Sequence, residues 1–408
     1  MSKLSERLNA LSPLQREVLR QRLQEKDTVA VKLQPDAPAN VAPLSHGETI
    51  GQARTVDFSL FFFSDRGITD AADKYRLLFE SVKYADEHGF TAVWTPERHF
   101  QNFGGLYPNP SILSAALAMT TQRIQIRAGS ITLPLHHPIR VAEEWSVVDN
   151  LSNGRVGVSF ASGWHPDDFV LSSSPYQDRK DVMLRSIEVI RKLWSGEAVK
   201  LPGAGGQEVE VRILPKPIQP KLPIWLTSSG SPATWIKAGQ IGAHVLTGVK
   251  GDPAREFAEK VMLYRETLAQ HGYDPQAGRV TVMLHTFIGE DNDLVRERVR
   301  EPLTNYLRTF IAQSEHLDPQ QLGLEASKIT EADKDALAGI SFERFFKTNS
   351  LLGTPDKCKQ IVDCLKEAGA DEIACLIDFG LETDLVLESL RHLNELRIHY
   401  SRERREPE

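Results

Sequence analysis

The chain has 408 residues, with 48 Lys and Arg against 55 Asp and Glu, a formal net charge of −7. Apolar residues make up 41% and charged residues 25%, which fits a folded globular protein and excludes a disordered, collagen-like or coiled-coil chain. The acidic balance offers no basic stripe for phosphate backbones, so nucleic acid is not an expected partner.

Residues 1–27 read as a helical segment. Ser12 can cap, Pro13 suits the first helical position, and Gln15 completes a capping box. Residues 28–52 carry Pro35, Pro38 and Pro43 without a sustained period and read as a linker. From residue 53 to 408 strands alternate with helices. Strands are predicted over 56–63, 91–95, 124–133, 156–161, 223–228, 244–247, 280–288 and 372–379. Helices are predicted over 71–89, 111–122, 138–151, 179–195, 232–242, 253–271 and 383–398. Eight strands in this alternation predict an α/β fold of the TIM-barrel type, (β/α)8, rather than a doubly wound sheet. Residues 293–350 are too long for an ordinary connection. They are expected to be a mainly helical insertion that covers the barrel mouth.

Cys358, Cys364 and Cys375 show no CxxC spacing, so no zinc framework is expected. Their odd number predicts a reducing, cytoplasmic setting. Residues 1–7 lack the apolar region of a signal peptide, and no apolar run is long enough to span a membrane.

Barrel chemistry sits at the C-terminal strand ends. Those ends carry Ser64, Asp65 and Arg66; Glu97, Arg98 and His99; His136 and His137; residues 162–168 with Ser162 and His165; and the turn Ser228, Ser229, Gly230, Ser231 with Thr234. Three ionisable residues in a row, Glu97-Arg98-His99, suit proton and charge handling better than packing. Their alternative is a salt-bridged loop that closes the strand. The glycine- and hydroxyl-rich turn before a helix suits a phosphate, because helix N-terminal N–H groups are unpaired there. The same residues equally suit plain capping, with Ser231 as cap and Pro232 at the first position. His136 and His137 are adjacent, point to different sides and have no carboxylate at ligand spacing, so no metal site is expected. Neither a GxSxG elbow nor a GxGxxG fingerprint occurs.

These motifs together resemble the bacterial luciferase-like, flavin-dependent monooxygenases. The resemblance runs from about residue 56 to 398. It rests on Trp94-Thr95-Pro96-Glu97-Arg98-His99-Phe100, on Leu133-Pro134-Leu135-His136-His137-Pro138, and on Asp149-Asn150-Leu151-Ser152-Asn153-Gly154-Arg155. Residues 161–169 resemble the mupirocin-type, natural-product branch of that family. Residues 11–16 resemble short helices that precede catalytic domains in peptide synthetases.

The resemblance implies a cytoplasmic homodimer that takes reduced FMN from a separate flavin reductase. It implies oxygen transfer through a flavin 4a-hydroperoxide to a small or carrier-protein-tethered substrate. It places a cis peptide at Gly129-Ser130, and the flavin phosphate at Gly230, Ser231 and Thr234. Ser162 matches a second phosphate-side position, with Arg179 as its cationic partner. Luciferases carry Glu-His-His after strand two, whereas this chain has Arg98 in the middle place, so light emission from an aldehyde is not expected. Catalysis is assigned to Glu97, Arg98, His99 and His165. Arg98 would hold an anion or steady negative charge, and His99 would move protons. Two other functions remain open at this level: hydride transfer with the deazaflavin F420, and a synthetase-interacting module with little catalysis.

Overall fold

The computed structural model describes residues 55–63, 74–249, 253–314 and 331–402. The expected helical segment 1–27, the linker 28–52, residues 64–66 and the middle of the insertion lie outside the described residues.

Parallel strands build the centre: β1 (Asp57–Phe61), β2 (Ala92–Thr95), β3 (Gln125–Thr132), β4 (Val156–Ala161), β7 (Ile224–Ser228), β8 (His244–Gly248), β9 (Val280–Ile288) and β11 (Glu372–Leu376). Their hydrogen-bonded order is β9-β11-β1-β2-β3-β4-β7-β8, and β8 pairs back onto β9. The sheet therefore closes into an eight-stranded barrel, the TIM-barrel fold predicted from the alternation.

The helices pack outside: α1 (Arg76–His88), α2 (Pro110–Thr120), α3 (Pro138–Ser152), α4 (Arg179–Trp194), α5 (Pro232–Gln240), α6 (Ala258–Gln270), α9 (Pro355–Glu367) and α10 (Thr383–Arg402). Local chemistry explains several ends. Gly89 takes φ +80° and closes α1, donating its N–H to Ala85. Asn109 caps α2, its side chain accepting from the N–H groups of Ser111 and Ile112 ahead of Pro110.

Strand periodicity divides the apolar residues into two cores. Phe58, Leu60, Ile126, Val158, Val282 and Ile373 face the helices. Phe61, Trp94, Trp225, Leu246, Ala374 and Leu376 face the barrel interior. The interior core continues upward into the insertion, whose described residues include α7 (Asn292–Ser314) and α8 (Glu331–Thr348). Val299, Leu303, Tyr306 and Phe342 from these helices belong to the same apolar cluster as the lumen. The described residues of the insertion are thus mainly helical and pack onto the lumen core.

Three elements depart from the sequence reading. A hairpin of β5 (Val199–Pro202) and β6 (Glu208–Val211) follows α4. A short strand β10 (Leu351–Gly353) adds to the C-terminal end of β9, at Thr286 to Ile288. Helix α9 then lies between β10 and β11. The last barrel strand also stops at Leu376, not residue 379. Cys358 and Cys375 are buried, and burial pushes both thiols up to about 12, so they act as small apolar residues. Among the described residues no helix is long and apolar enough to cross a membrane.

Candidate active site at the strand ends

Four neighbouring strands bring the predicted residues to one end of the barrel. Thr95 on β2 lies level with Ala128 on β3, Gly129 with Ser159 on β4, and Phe160 with Leu226 on β7. Continuing these registers upward puts Glu97 beside the Ser130 level, and Ser162 beside Ser228. The Gly129-Ser130 peptide is cis, and the β3–β4 register shifts between Gly129 and Ile131. Ser130 bonds the hydroxyl of Thr227, which also bonds Ser159 at 2.7 Å. Three hydroxyls from three strands thus line the interior at this level.

Glu97 organises the next group. Its carboxylate is buried, and one oxygen accepts from both His99 Nε2 and His136 Nε2, each at 2.7 Å. The other accepts the Thr132 N–H at 2.8 Å. A carboxylate only accepts, so both imidazoles carry their proton on Nε2 and leave Nδ1 for other partners. Burial alone would raise the Glu97 carboxyl, but the His136 and His99 bonds and the Thr132 N–H outweigh it and hold it below the usual range. His136 is raised on balance: burial opposes its charge, and Glu97 overcomes that. Its neighbour His137 faces away and caps α3, Nδ1 accepting from the Ile139 N–H.

Arg98 turns inward. Only 7% of it is exposed, and its guanidinium lies 5.1 Å from the ring centroids of Phe63, Phe103 and Trp164. Burial lowers its pKa, yet a guanidinium keeps its charge. Gly104, at φ +78°, allows this fit, because a Cβ there would stand 2.5 Å from Arg98 Cγ. His165 is buried with its ring edge-on to Trp164, at 5.7 Å between centroids. Asp168 lies near this group, and burial raises its carboxyl despite the charges of His165, His99 and Arg98.

The turn after β7 carries features of both sequence readings. Gly230 adopts φ +113°, and its N–H donates to Ser228 Oγ at 3.2 Å. Ser231 occupies the N-cap position of α5, but its side chain caps nothing. The hydroxyl is exposed and makes no hydrogen bond among the described residues. Pro232 takes the first-turn position of the capping reading, and the Ser231 side chain is left for another partner.

A family model described as luciferase-like monooxygenase matches residues 56–372, well over half of the 408. The chain belongs to that family. It is 26% identical over 359 residues to the oxygenase component of the flavin-dependent trigonelline monooxygenase of Acinetobacter baylyi, covering 84% of this chain and 95% of that one. Solved structures share its fold. Monooxygenase RslO1 of Streptomyces bottropensis superposes with a TM-score of 0.67 at 22% identity, covering 85% of this chain and all of that one. The oxygenating constituent of 3,6-diketocamphane monooxygenase of Pseudomonas putida, solved with FMN, gives 0.66 at 18% identity, covering 84% and 97%. An F420-dependent secondary alcohol dehydrogenase gives 0.62 at 19% identity, covering 84% and 98%.

This luciferase-like monooxygenase is an oxidoreductase of a flavin-dependent class. Its structure brings together Glu97, His99, Arg98 and His165 around the β2 and β4 ends, and Ser130 beneath them. Arg179 opens α4. Its Nη1 donates to Tyr176 O at 3.1 Å and the guanidinium stacks 4.0 Å from the Tyr176 ring, with no bond to Ser162 or the Gly230 turn. Sequence reasoning missed His136 as a Glu97 partner. It also missed Tyr306, which reaches from α7 to within 5.0 Å of Phe103 and 6.5 Å of Phe63, centroid to centroid.

Proposed function

We propose that this enzyme is the oxygenase component of a two-component system, using reduced FMN from a separate reductase to oxygenate a small or carrier-tethered substrate. The observation that carries the reading is the turn at residues 230–234, where glycine geometry and an unused Ser231 hydroxyl meet a helix N-terminus. These residues fit a phosphate, with Thr234 and Ser231 as hydroxyl donors and Ser162 just beyond the end of the adjacent strand β4. Bound reduced FMN would supply the activation of dioxygen and the transfer of one oxygen atom.

The remaining work falls to the chain. Glu97 fixes His99 so that Nδ1 is the ring atom that exchanges protons. Arg98 supplies a fixed positive charge in a poorly solvated aromatic wall, where it acts more strongly than in water. Helices α7 and α8 exclude water. Placement in natural-product biosynthesis rests on the resemblance of residues 161–169.

Thr234→Ala is expected to weaken FMN by about 1–2 kcal/mol, the loss of one hydrogen bond to a charged group. Fluorescence titration of the two proteins with FMN checks this. Unchanged affinity, or binding of F420 in place of FMN, would sink the assignment.

A homodimer is part of the same proposal. Helices α2 and α3 pack together and leave Ile112, Met119, Val147 and Leu151 exposed on their outer faces. Such a patch marks an association surface. Met119→Glu combined with Leu151→Glu is expected to yield a folded monomer by light scattering, and a wild-type mass for the variant would place the interface elsewhere.

A further inference from the structure

His285 lies at the upper part of β9, and strand periodicity settles where it points. Thr281 accepts a bond from Trp225 Nε1 across the lumen at 3.2 Å, and Met283 and Phe287 belong to the interior cluster. Val280, Val282, Leu284 and Ile288 pack on the helix side. His285 therefore faces inward, one step above Met283 and below the insertion. Its ring is enclosed edge-on by Tyr306 at 4.6 Å, Phe345 at 5.3 Å and Phe379 at 5.5 Å. These come from α7, α8 and the loop after β11.

Its Nε2 is buried and has no hydrogen-bond partner among the described residues. A buried polar atom left so is costly, and a leucine would fill the same space without that cost. The cost is explained if a ligand supplies the partner. We propose that His285 is the polar contact of a substrate subsite walled by Tyr306, Phe345 and Phe379, and that this subsite takes an uncharged, apolar or aromatic group bearing one hydrogen-bonding oxygen. The inference rests on the oxygenase reading above and names the substrate class for it.

Three observations give the class. The walls are aromatic, which favours apolar and ring-bearing groups. Burial holds the imidazole down to about 3, so it is neutral and offers one N–H and one lone pair, with no charge to balance a carboxylate. Tyr306 also touches Phe103 and Phe63, the rings that flank Arg98, so the subsite adjoins the wall formed by Glu97, Arg98 and His99. Two of its three walls belong to the insertion. The subsite is therefore assembled only when α7 and α8 sit on the barrel, which couples substrate recognition to exclusion of water.

The test uses the full chain labelled with ¹⁵N-histidine, benzyl alcohol as the neutral probe and benzoate as its charged counterpart, with no flavin added. Benzyl alcohol is expected to bind saturably and to shift the His285 ring resonances, assigned by their loss in His285→Phe. That variant should bind benzyl alcohol about tenfold more weakly, the loss of one hydrogen bond. Its melting temperature should be equal or higher, because an unpaired polar group is gone. His285→Gln, which keeps a donor and an acceptor, should recover most of the affinity and guards against a misfolded Phe variant. Benzoate should bind at least tenfold more weakly than benzyl alcohol. Unmoved His285 resonances, equal binding by His285→Phe, or equal binding of benzoate would each overturn the subsite. Failure of the FMN reading would appear in the Thr234 titration and leave this outcome untouched.

Discussion

A His99→Ala enzyme is expected to bind FMN like the wild type, to lose oxygenated product by about 10²- to 10⁴-fold, and to release hydrogen peroxide almost stoichiometrically with reduced FMN. The expectation comes from the tautomer. Glu97 accepts a hydrogen bond from the Nε2–H at 2.7 Å, so Nδ1 is the position that can accept or deliver a proton during oxygen transfer. An alanine leaves Glu97 with His136 and Thr132, which keeps the carboxylate satisfied and the strand end folded. The loss therefore falls on proton handling and not on stability. Arg98→Lys should be comparably harmful for a different reason. A planar guanidinium stacks among three rings at 5.1 Å, and an ammonium point charge is too strongly hydrated to replace it there. The measurement is product yield and peroxide release per reduced FMN consumed, with whichever small or carrier-loaded substrate mass spectrometry identifies. Wild-type coupling in both variants would move the chemistry to Trp164 and His165.

The barrel was legible because its strands are short, apolar and separated by capped helices. The bounds of β4 and β9 match the prediction to the residue, since both are mainly apolar runs with glycine-bearing turns close to each end. The missed elements carried quieter signals. Residues 199–211 alternate around a glycine-rich turn, but the hairpin is largely exposed, so no apolar face announces it. Helix α9 has a usable start in Thr354-Pro355, with the Thr354 side chain accepting the Lys357 N–H, and buried Cys358, Val362 and Leu365 at helical spacing. It went unread because the long insertion before it hid the return to regular packing.

The site divides in the same way. Glu97, Arg98 and His99 are consecutive, and a strand end is where such a run is informative. His136 meets Glu97 from 39 residues away, and no local pattern encodes that contact. Tyr306 and His285 join only because an insertion folds back over the mouth. Arg179 is legible only in part. Its Nη1 meets the Tyr176 carbonyl three residues earlier, while its buried Nε has no hydrogen-bond partner among the described residues.

Arg127→Met is expected to cost about 3 kcal/mol at pH 7, because it removes the closest cation from a buried carboxylate. Arg127 lies low in the lumen on β3, two residues before Gly129. Its guanidinium sits between Trp94 at 5.0 Å and Trp225 at 4.6 Å, and Nη1 donates to Glu372 at 2.8 and 3.1 Å. Arg279 adds a longer contact to Glu372 at 3.4 Å, and Ser59 a hydroxyl at 2.7 Å. Burial alone would raise Glu372; the two arginines and the Ser59 bond outweigh it and hold the carboxyl near 2, below its ordinary 4.5. A depressed carboxyl gives stability that is present above about 4.5 and lost as pH falls towards 2, roughly 3 kcal/mol in all. In Arg127→Met the balance reverses and the Glu372 carboxyl should rise above its ordinary value. The folded variant then binds a proton more readily than the unfolded chain, so acid stabilises it relative to wild type. The difference in unfolding free energy should therefore shrink between pH 7 and pH 5. The double variant Arg127→Met, Glu372→Met should regain much of the loss at pH 7, since two apolar residues replace the pair without a stranded charge. Urea unfolding at both pH values measures this directly. A constant difference across that range would mean that Arg127 acts through its packing between the two tryptophans and not through Glu372.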